Sequence, residues 1–396
     1  MGKGVTYPFG FYASGIHCGI KENGKEDLSL IYSISPCVSA GMFTTNQFKS
    51  YSVIWSIKNI KNEIRAVLIN SGNANACNGK KNYLLTQKLM EELGTKLKIE
   101  KNSILFASTG IIGVDLPYEK IKNAFDKLIK NLSRENNYLA AKGIMTTDTF
   151  PKECEINTEI KGRKKEVFIG GMAKGAGMIN PSLATMLCFI TTDAVIDREA
   201  LEFALKESVE ESFNMITVDN DMSTNDTVIC LANGLARNKT IHIDSSDFEN
   251  FLNSLKELCT KLAKMIAFDG EGASKFIEVE VKGGWCKKDV RRVAKKVAGS
   301  SLVKTAIAGE NPNWGRILAA VGSTNARIDM KNIEIKICGV EVFRGTEPLR
   351  HNEEKLKNLL KNKEIKIEID LKRGNFSATA WGCDLTEEYV KINKEY

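Results

Sequence analysis

The chain has 396 residues, 43% of them hydrophobic and 27% charged, a length that supports a sizeable core and points to two domains rather than one. Lys and Arg number 56 against 49 Asp and Glu, and the excess is scattered rather than gathered in a block, which excludes a nucleic-acid stripe. Neither a secretory h-region nor an apolar run long enough to span a bilayer is visible, and the 10 cysteines include no C-x-x-C pair, so zinc and redox motifs are unsupported and reduced thiols of a cytoplasmic protein are expected.

Residues 4–20 carry turn glycines among aromatics and yield no functional reading from physics alone. Residues 66–69 form a short apolar run that ends in NSGNANACNG, residues 70–79, whose asparagines and glycines favour turns and left-handed conformations. A tight loop satisfied by its own side chains is expected there. Residues 103–107 read as a buried strand that stops at STGIIG, residues 108–113. Thr109-Gly110 in that stretch reads first as a turn, although donors on a glycine-bearing strand end can also approach an oxyanion closely. Ile121, Phe125, Leu128 and Leu132 fall at helical spacing and predict one amphipathic helix over 118–132. The hydroxyls of GIMTTDTFPK, residues 143–152, including Thr147, read as turn caps.

The most informative stretch is GGMAKGAGMINPSLATMLCFI, residues 170–190. Its glycines give a permissive loop, Asn180-Pro181 marks a turn, and residues 186–190 form an apolar run consistent with a buried strand. Thr185 stands at that junction. Two readings compete: a β-branched residue opening a strand, or a nucleophile. A threonine hydroxyl needs a base, and an N-terminal threonine supplies its own α-amine, with a pKa of roughly 7.7 to 8.0. That second reading requires a cut between Ala184 and Thr185, which the same hydroxyl can start by attacking the Ala184 carbonyl. Lys174 has a similar split, between a solvated surface lysine and a cation held in a glycine loop for a substrate carboxylate.

Beyond the junction, Asp197 can cap a helix carrying Leu201, Leu205, Val209 and Phe213. Asp219, Asp221 and Asp226 lack the spacing of a calcium loop and are expected in a polar loop feeding a strand over 227–232. Ser246 and Glu249 form a capping box for a long core-facing helix through Met265. Glu271 follows between two glycines, where solvent exposure is the plain expectation. From Lys275 the texture changes to alternating apolar and charged strands, residues 276–281, 333–337 and 365–371. Boundaries of 1–275 and 276–396 follow, with an α+β core of helix-covered mixed sheets and a smaller C-terminal α/β domain.

The glycine loop lacks the G-K-[ST] ending of a phosphate loop, and His17, His242 and His351 lie in no nucleophile elbow. What KGAGMINPSLATML resembles, in order, is the glutamate N-acetyltransferase (ornithine acetyltransferase) family of arginine biosynthesis; residues 4–20, GENPNWGRI at 309–317 and the closing WGCDLTEEYVKINKEY are similar as well. The resemblance implies self-cleavage into an α chain, 1–184, and a β chain from 185, intertwined in a fold of the N-terminal-nucleophile type and paired as an α2β2 heterotetramer. It implies that Thr185 carries acetyl between N-acetylornithine and glutamate, and that Thr109 and Gly110 form the oxyanion hole. Thr147, Lys174, Glu271 and Asn393 are implied as substrate contacts. No metal or cofactor is implied, with acetyl-CoA a co-substrate in bifunctional members. An amide hydrolase or aminopeptidase on the same processed scaffold, with water as acceptor, is the alternative. Family members continue past the position of Tyr396 to a Ser or Thr that touches substrate, and this sequence stops before it.

Overall fold

A computed structural model describes residues 3–160, 165–179, 186–350 and 352–395. The chain forms two compact units: Met1–Gly175 with Ser182–Phe213 and Met222–Ala263, and Ala176–Pro181 with Asn214–Asp221 and Lys264–Tyr396.

In the first unit the strands are β1 (Phe11–Ile16), β2 (Leu28–Phe43), β3 (Ile64–Asn73), β4 (Ile104–Ile111), β5 (Lys152–Ile160), β6 (Lys165–Lys174) and β7 (Leu187–Thr192). After the two-residue β8 (Ile216–Thr217), which belongs to the second unit, comes β9 (Thr227–Ala232). Among the described residues, eight strands make one mixed sheet in the order β4-β3-β2-β9-β7-β6-β5, with β1 paired to β2. The centre is the parallel pair β7 and β9, where Leu187 lies opposite Thr227 and every residue of LCFITT and TVICLA is buried. Continuous apolar runs of this kind belong to strands covered on both faces.

The pleat distributes alternate side chains to two cores. Ala66, Leu68, Ile104 and Phe106 face one, with Trp55, Leu89, Leu93 and Phe125 from covering helices. Val67, Ile69, Leu105 and Ala107 face the other, with Phe189, Ile229, Ala140 and Ile144. The helix Phe248–Phe268 packs on β6, where Gly171 makes room: a Cβ there would lie 3.0 Å from Leu258 and Leu262.

Local chemistry explains most element ends and corrects three expectations. Asp197 caps Arg198–Glu211 as read, its Oδ1 accepting from Ala200 N at 2.7 Å. The expected single helix over 118–132 is two, Tyr118–Asn123 and Phe125–Lys130, parted at Ala124, although Ile121, Phe125 and Leu128 are all buried as predicted. The long helix starts at Phe248, one residue later than the Ser246 capping box requires, because the Asp247 carbonyl accepts the first helical bond from Phe251 N (3.1 Å). The strand read at 103–107 does not stop at STGIIG but runs on to Ile111. The asparagine loop does satisfy itself: Asn73 Oδ1 accepts from Asn75 N (2.9 Å) and Asn75 Oδ1 from Asn78 Nδ2 (3.2 Å).

The second unit contains β8 and β10 (Phe276–Gly284), β11 (Glu334–Ile337), β12 (Val340–Arg344), β13 (Glu347–Pro348), β14 (Glu364–Asp370) and β15 (Phe376–Cys383). Among the described residues they form a mixed sheet in the order β13-β12-β11-β14-β10-β15-β8, with β10 and β14 parallel. Alternation along β14 buries Ile365, Ile367 and Ile369 and leaves Lys366 to pair with Glu280 across the strands (2.6 Å). The helix Lys287–Ala298 covers β10 and β15. The texture change read at Lys275 coincides with the start of β10; the compact units part earlier, between Ala263 and Lys264. The architecture is α+β, with helix-covered mixed sheets. Among the described residues no helix is long and apolar enough to cross a membrane.

Candidate active site

Thr109 and Gly110 lie at the end of β4, beside the end of β3, with Gly110 in register with Gly72. The position demands glycine twice over. Its φ is +133°, and a Cβ would stand 2.3 Å from the Gly72 carbonyl carbon and 2.5 Å from Asn73 N. The bare backbone therefore lies directly against the β3 main chain at this strand end, and Thr109 beside it is buried. Asn225 pins this end: its Nδ2 donates to the carbonyls of Ser108 and Ala74, each at 2.7 Å.

Lys174 ends β6 and is buried, with its Nζ 3.4 Å from Thr109 Oγ1. The solvated reading of this lysine is thereby excluded. A buried ammonium requires compensating charge, and Asp148 provides it from the loop before β5. Asp148 Oδ1 accepts from Lys152 Nζ and from the Gly175 amide, both at 2.7 Å, and Oδ2 accepts from Thr146 N at 3.0 Å. Burial alone would raise this carboxyl, but the charges of Lys174 and Lys152 and the Gly175 amide outweigh it and hold its pKa down to about 2. Thr147 is half-buried and immediately precedes Asp148, so the same ion network fixes its backbone. The first unit thus brings Thr109, Gly110 and Lys174 together and sets Thr147 next to the carboxylate that serves Lys174.

Ala184 and Thr185 lie outside the described residues. The residue that follows them is anchored: the Met186 amide donates to Asp226 Oδ1 (3.1 Å), and the Met186 carbonyl accepts from Thr227 N (3.1 Å).

In the second unit, Glu271 and Asn393 are joined by a hydrogen bond from Asn393 Nδ2 to Glu271 Oε2 (2.9 Å). Asn393 is held in turn by the Tyr389 carbonyl (3.0 Å), and the Glu271 amide donates to the Ala176 carbonyl (2.8 Å). The Glu271 carboxyl occupies the space that a side chain at Gly177 would need, since a Cβ there would lie 2.3 Å from Glu271 Cδ. Glu271 is therefore half-buried rather than simply solvated. Asp219 fixes the loop ahead of the junction by accepting from the amides of Met178 (2.5 Å) and Ile179 (2.8 Å).

Sequence reasoning missed Asp148, Lys152 and Asn225, and gave Asp226 only a place in a polar loop. Asp148 and Lys152 are four apart on a stretch without helical periodicity, so nothing in the pattern pairs them. Asp226 did leave a signal: a carboxylate set directly against the wholly apolar run that becomes β9.

A family model described as the ArgJ family matches residues 12–396. The chain is 46% identical over 399 residues to the arginine biosynthesis bifunctional protein ArgJ of Symbiobacterium thermophilum, covering 100% of this chain and 99% of that one. Against the protein of the same name from Caldanaerobacter subterraneus subsp. tengcongensis it is 44% identical over 397 residues, covering 99% and 98%. A crystal structure of the arginine biosynthesis bifunctional protein argJ from Bacillus halodurans is 45% identical, with a TM-score of 0.51, and covers 52% of this chain and 98% of that chain. The chain belongs to the ArgJ family.

Proposed function

We propose that this chain is a glutamate N-acetyltransferase of arginine biosynthesis that cleaves itself between Ala184 and Thr185 and then works by ping-pong transfer through an acetyl-Thr185 ester. The observation that carries this reading is the buried Lys174 ammonium at the glycine-bearing end of β4, 3.4 Å from the Thr109 hydroxyl and beside the side-chain-free backbone of Gly110. A cation and a hydroxyl beside a glycine main chain suit an acyl group that develops negative charge.

In the first half-reaction Thr185 Oγ attacks the acetyl carbon of N-acetylornithine, and its proton passes to the Thr185 α-amine. Thr109 and Gly110 hold the oxyanion. The carbon–nitrogen bond breaks, the α-ammonium returns the proton to the departing amine, and ornithine leaves. In the second half the glutamate amine attacks the ester, its proton goes to the α-amine and on to Oγ, and N-acetylglutamate is released. Lys174, Thr147, Glu271 and Asn393 serve as substrate contacts. The relatives are described as bifunctional, and by the family resemblance the second activity is an acetyl-CoA-dependent synthesis of N-acetylglutamate. By the same family resemblance the processed chains assemble as a cytoplasmic α2β2 heterotetramer.

The test incubates purified protein with N-acetylornithine, with and without glutamate, and separately with acetyl-CoA and glutamate. Acetylglutamate formed in the first pair only when glutamate is present supports the transferase. Ornithine and acetate released equally without glutamate overturn it in favour of an amide hydrolase.

A further inference from the structure

One buried carboxyl plays no part in the transfer steps above. Asp226 is fully buried, one residue after the Asn225 that pins the β4 end and immediately before β9. Its Oδ1 accepts from the Met186 amide at 3.1 Å, and that nitrogen belongs to the peptide bond joining Met186 to Thr185. Its Oδ2 has no hydrogen-bond partner among the described residues. The Thr44 hydroxyl stands beside the carboxyl but donates its own proton to the Ser223 carbonyl (2.7 Å). A buried carboxyl with one oxygen tied to the backbone and the other without a protein partner among the described residues is costly to keep and calls for an explanation.

We propose that Asp226 carries the proton for self-cleavage at Ala184–Thr185, an inference that rests on the reading of Thr185 as the self-processed nucleophile. As a neutral acid, the carboxyl takes the Thr185 hydroxyl proton on one oxygen while Oγ bonds to the Ala184 carbonyl carbon. It delivers the proton of its other oxygen to the Thr185 nitrogen as the carbon–nitrogen bond breaks. Asp226 ends neutral, as it began. The ester formed between Ala184 and Thr185 Oγ then adds water, giving the Ala184 carboxylate, the free hydroxyl and one released proton.

The surroundings suit a neutral acid. Burial holds this carboxyl well above the ordinary carboxylate range, and the Met186 amide and the Lys174 charge from β6 offset that only in part. An acid of this kind predicts a pH profile opposite to that of simple base-assisted attack, because cleavage slows as rising pH removes the proton.

The experiment follows intact masses after cell-free synthesis of the full chain, with samples held between pH 5 and pH 9. Wild-type protein is expected to give the 1–184 and 185–396 masses, with a rate that falls as pH rises, and Thr185→Ala a single mass. Asp226→Asn keeps the acceptor for the Met186 amide but cannot exchange a proton. It is expected to match wild type in circular dichroism and to cleave about 100-fold more slowly, with no slowing toward high pH. Asp226→Glu, which keeps the acid, is expected to cleave faster than Asp226→Asn. A wild-type rate that is flat or rises with pH overturns the proposal even where a variant does not fold, and so does Asp226→Asn cleaving at the wild-type rate. Wild-type protein that stays a single chain sinks the self-processing reading itself, which sets that failure apart from a failure confined to Asp226.

Discussion

At the scale of single residues the site depends on charge held out of water. Asp148 faces the ammonium groups of Lys152 and Lys174 in a buried setting, so Asp148→Ala removes the carboxylate that compensates both. A loss of about 3–5 kcal/mol in urea unfolding at pH 7 is expected, with Asp148→Asn losing less of the packing and as much of the charge. The pH dependence has a definite sign. The carboxyl sits at about 2 in the folded chain against an ordinary 3.8, so its contribution is fully present above pH 3.8 and is lost as pH falls through 2. Its full size is about 2 kcal/mol, of which about half is lost between pH 6 and pH 3, and comparing unfolding midpoints of wild type and Asp148→Asn at those two pH values measures that loss. A gap that does not narrow at the lower pH would contradict the ion network. Gly110→Ala is expected to fail on backbone grounds, with both its φ and the Gly72 main chain opposing a side chain. A destabilisation of about 3 kcal/mol by calorimetry and a loss of acetyl transfer of about 100-fold in initial rates are expected. Little of this was legible in the sequence. The residues alone leave Lys174 split between a solvated lysine and a cation for a substrate carboxylate until β6 is seen to bury it, and Asp148 carries no periodicity that would tie it to either lysine.

At the scale of elements, legibility follows the strength of the local pattern. The runs that became β7 and β9 were readable because a strand covered on both faces needs apolar residues throughout. The ends were not. β3 and β4 continue past their apolar runs because they pair with each other, Ser71 opposite Thr109 and Gly72 opposite Gly110, a tertiary choice that turn-forming residues alone do not announce. The break at Ala124 escaped for a related reason, since the buried face is continuous across both short helices. Asn225 couples these strand ends to the loop before β9 through two buried hydrogen bonds. Asn225→Ala leaves the Ser108 and Ala74 carbonyls without that donor and is expected to cost about 3 kcal/mol. Because the Ala74 amide bonds to the Ile111 carbonyl in the same junction, its hydrogen exchange should accelerate sharply in the variant. Unchanged exchange at Ala74 would mean that Asn225 is not what holds the β3–β4 end.

At the scale of the whole molecule the fold class was legible, whereas the path of the chain through it was not. The second unit includes Ala176–Pro181 and Asn214–Asp221, and among the described residues of those stretches the only strand, β8, has two residues, too few for any alternation to register. The first unit's sheet has a consequence for a cut at Ala184–Thr185. β2 and β6 precede that bond, and β7 and β9 follow it, yet the order is β2-β9-β7-β6, so the later pair is inserted between two earlier strands. The seams are long: Val38 to Phe43 of β2 pair with Ala232 to Thr227 of β9, and Ile169 to Lys174 of β6 pair with Thr192 to Leu187 of β7. Their side chains share one core, in which Met172 and Ile31 meet Leu187, Phe189 and Leu231. Cleavage therefore removes a covalent bond without freeing either piece. Two bands are expected on a denaturing gel, while native mass spectrometry should find both chains in every assembly, with separation only above the unfolding midpoint in urea. The same topology predicts that residues 1–184 expressed alone will aggregate, because β2 and β6 would each expose an unpaired edge backed by apolar surface. A soluble, monodisperse 1–184 with the circular dichroism of a folded sheet would show that the inserted strands are dispensable, and the interlocked sheet would then not be what holds the cleaved protein together.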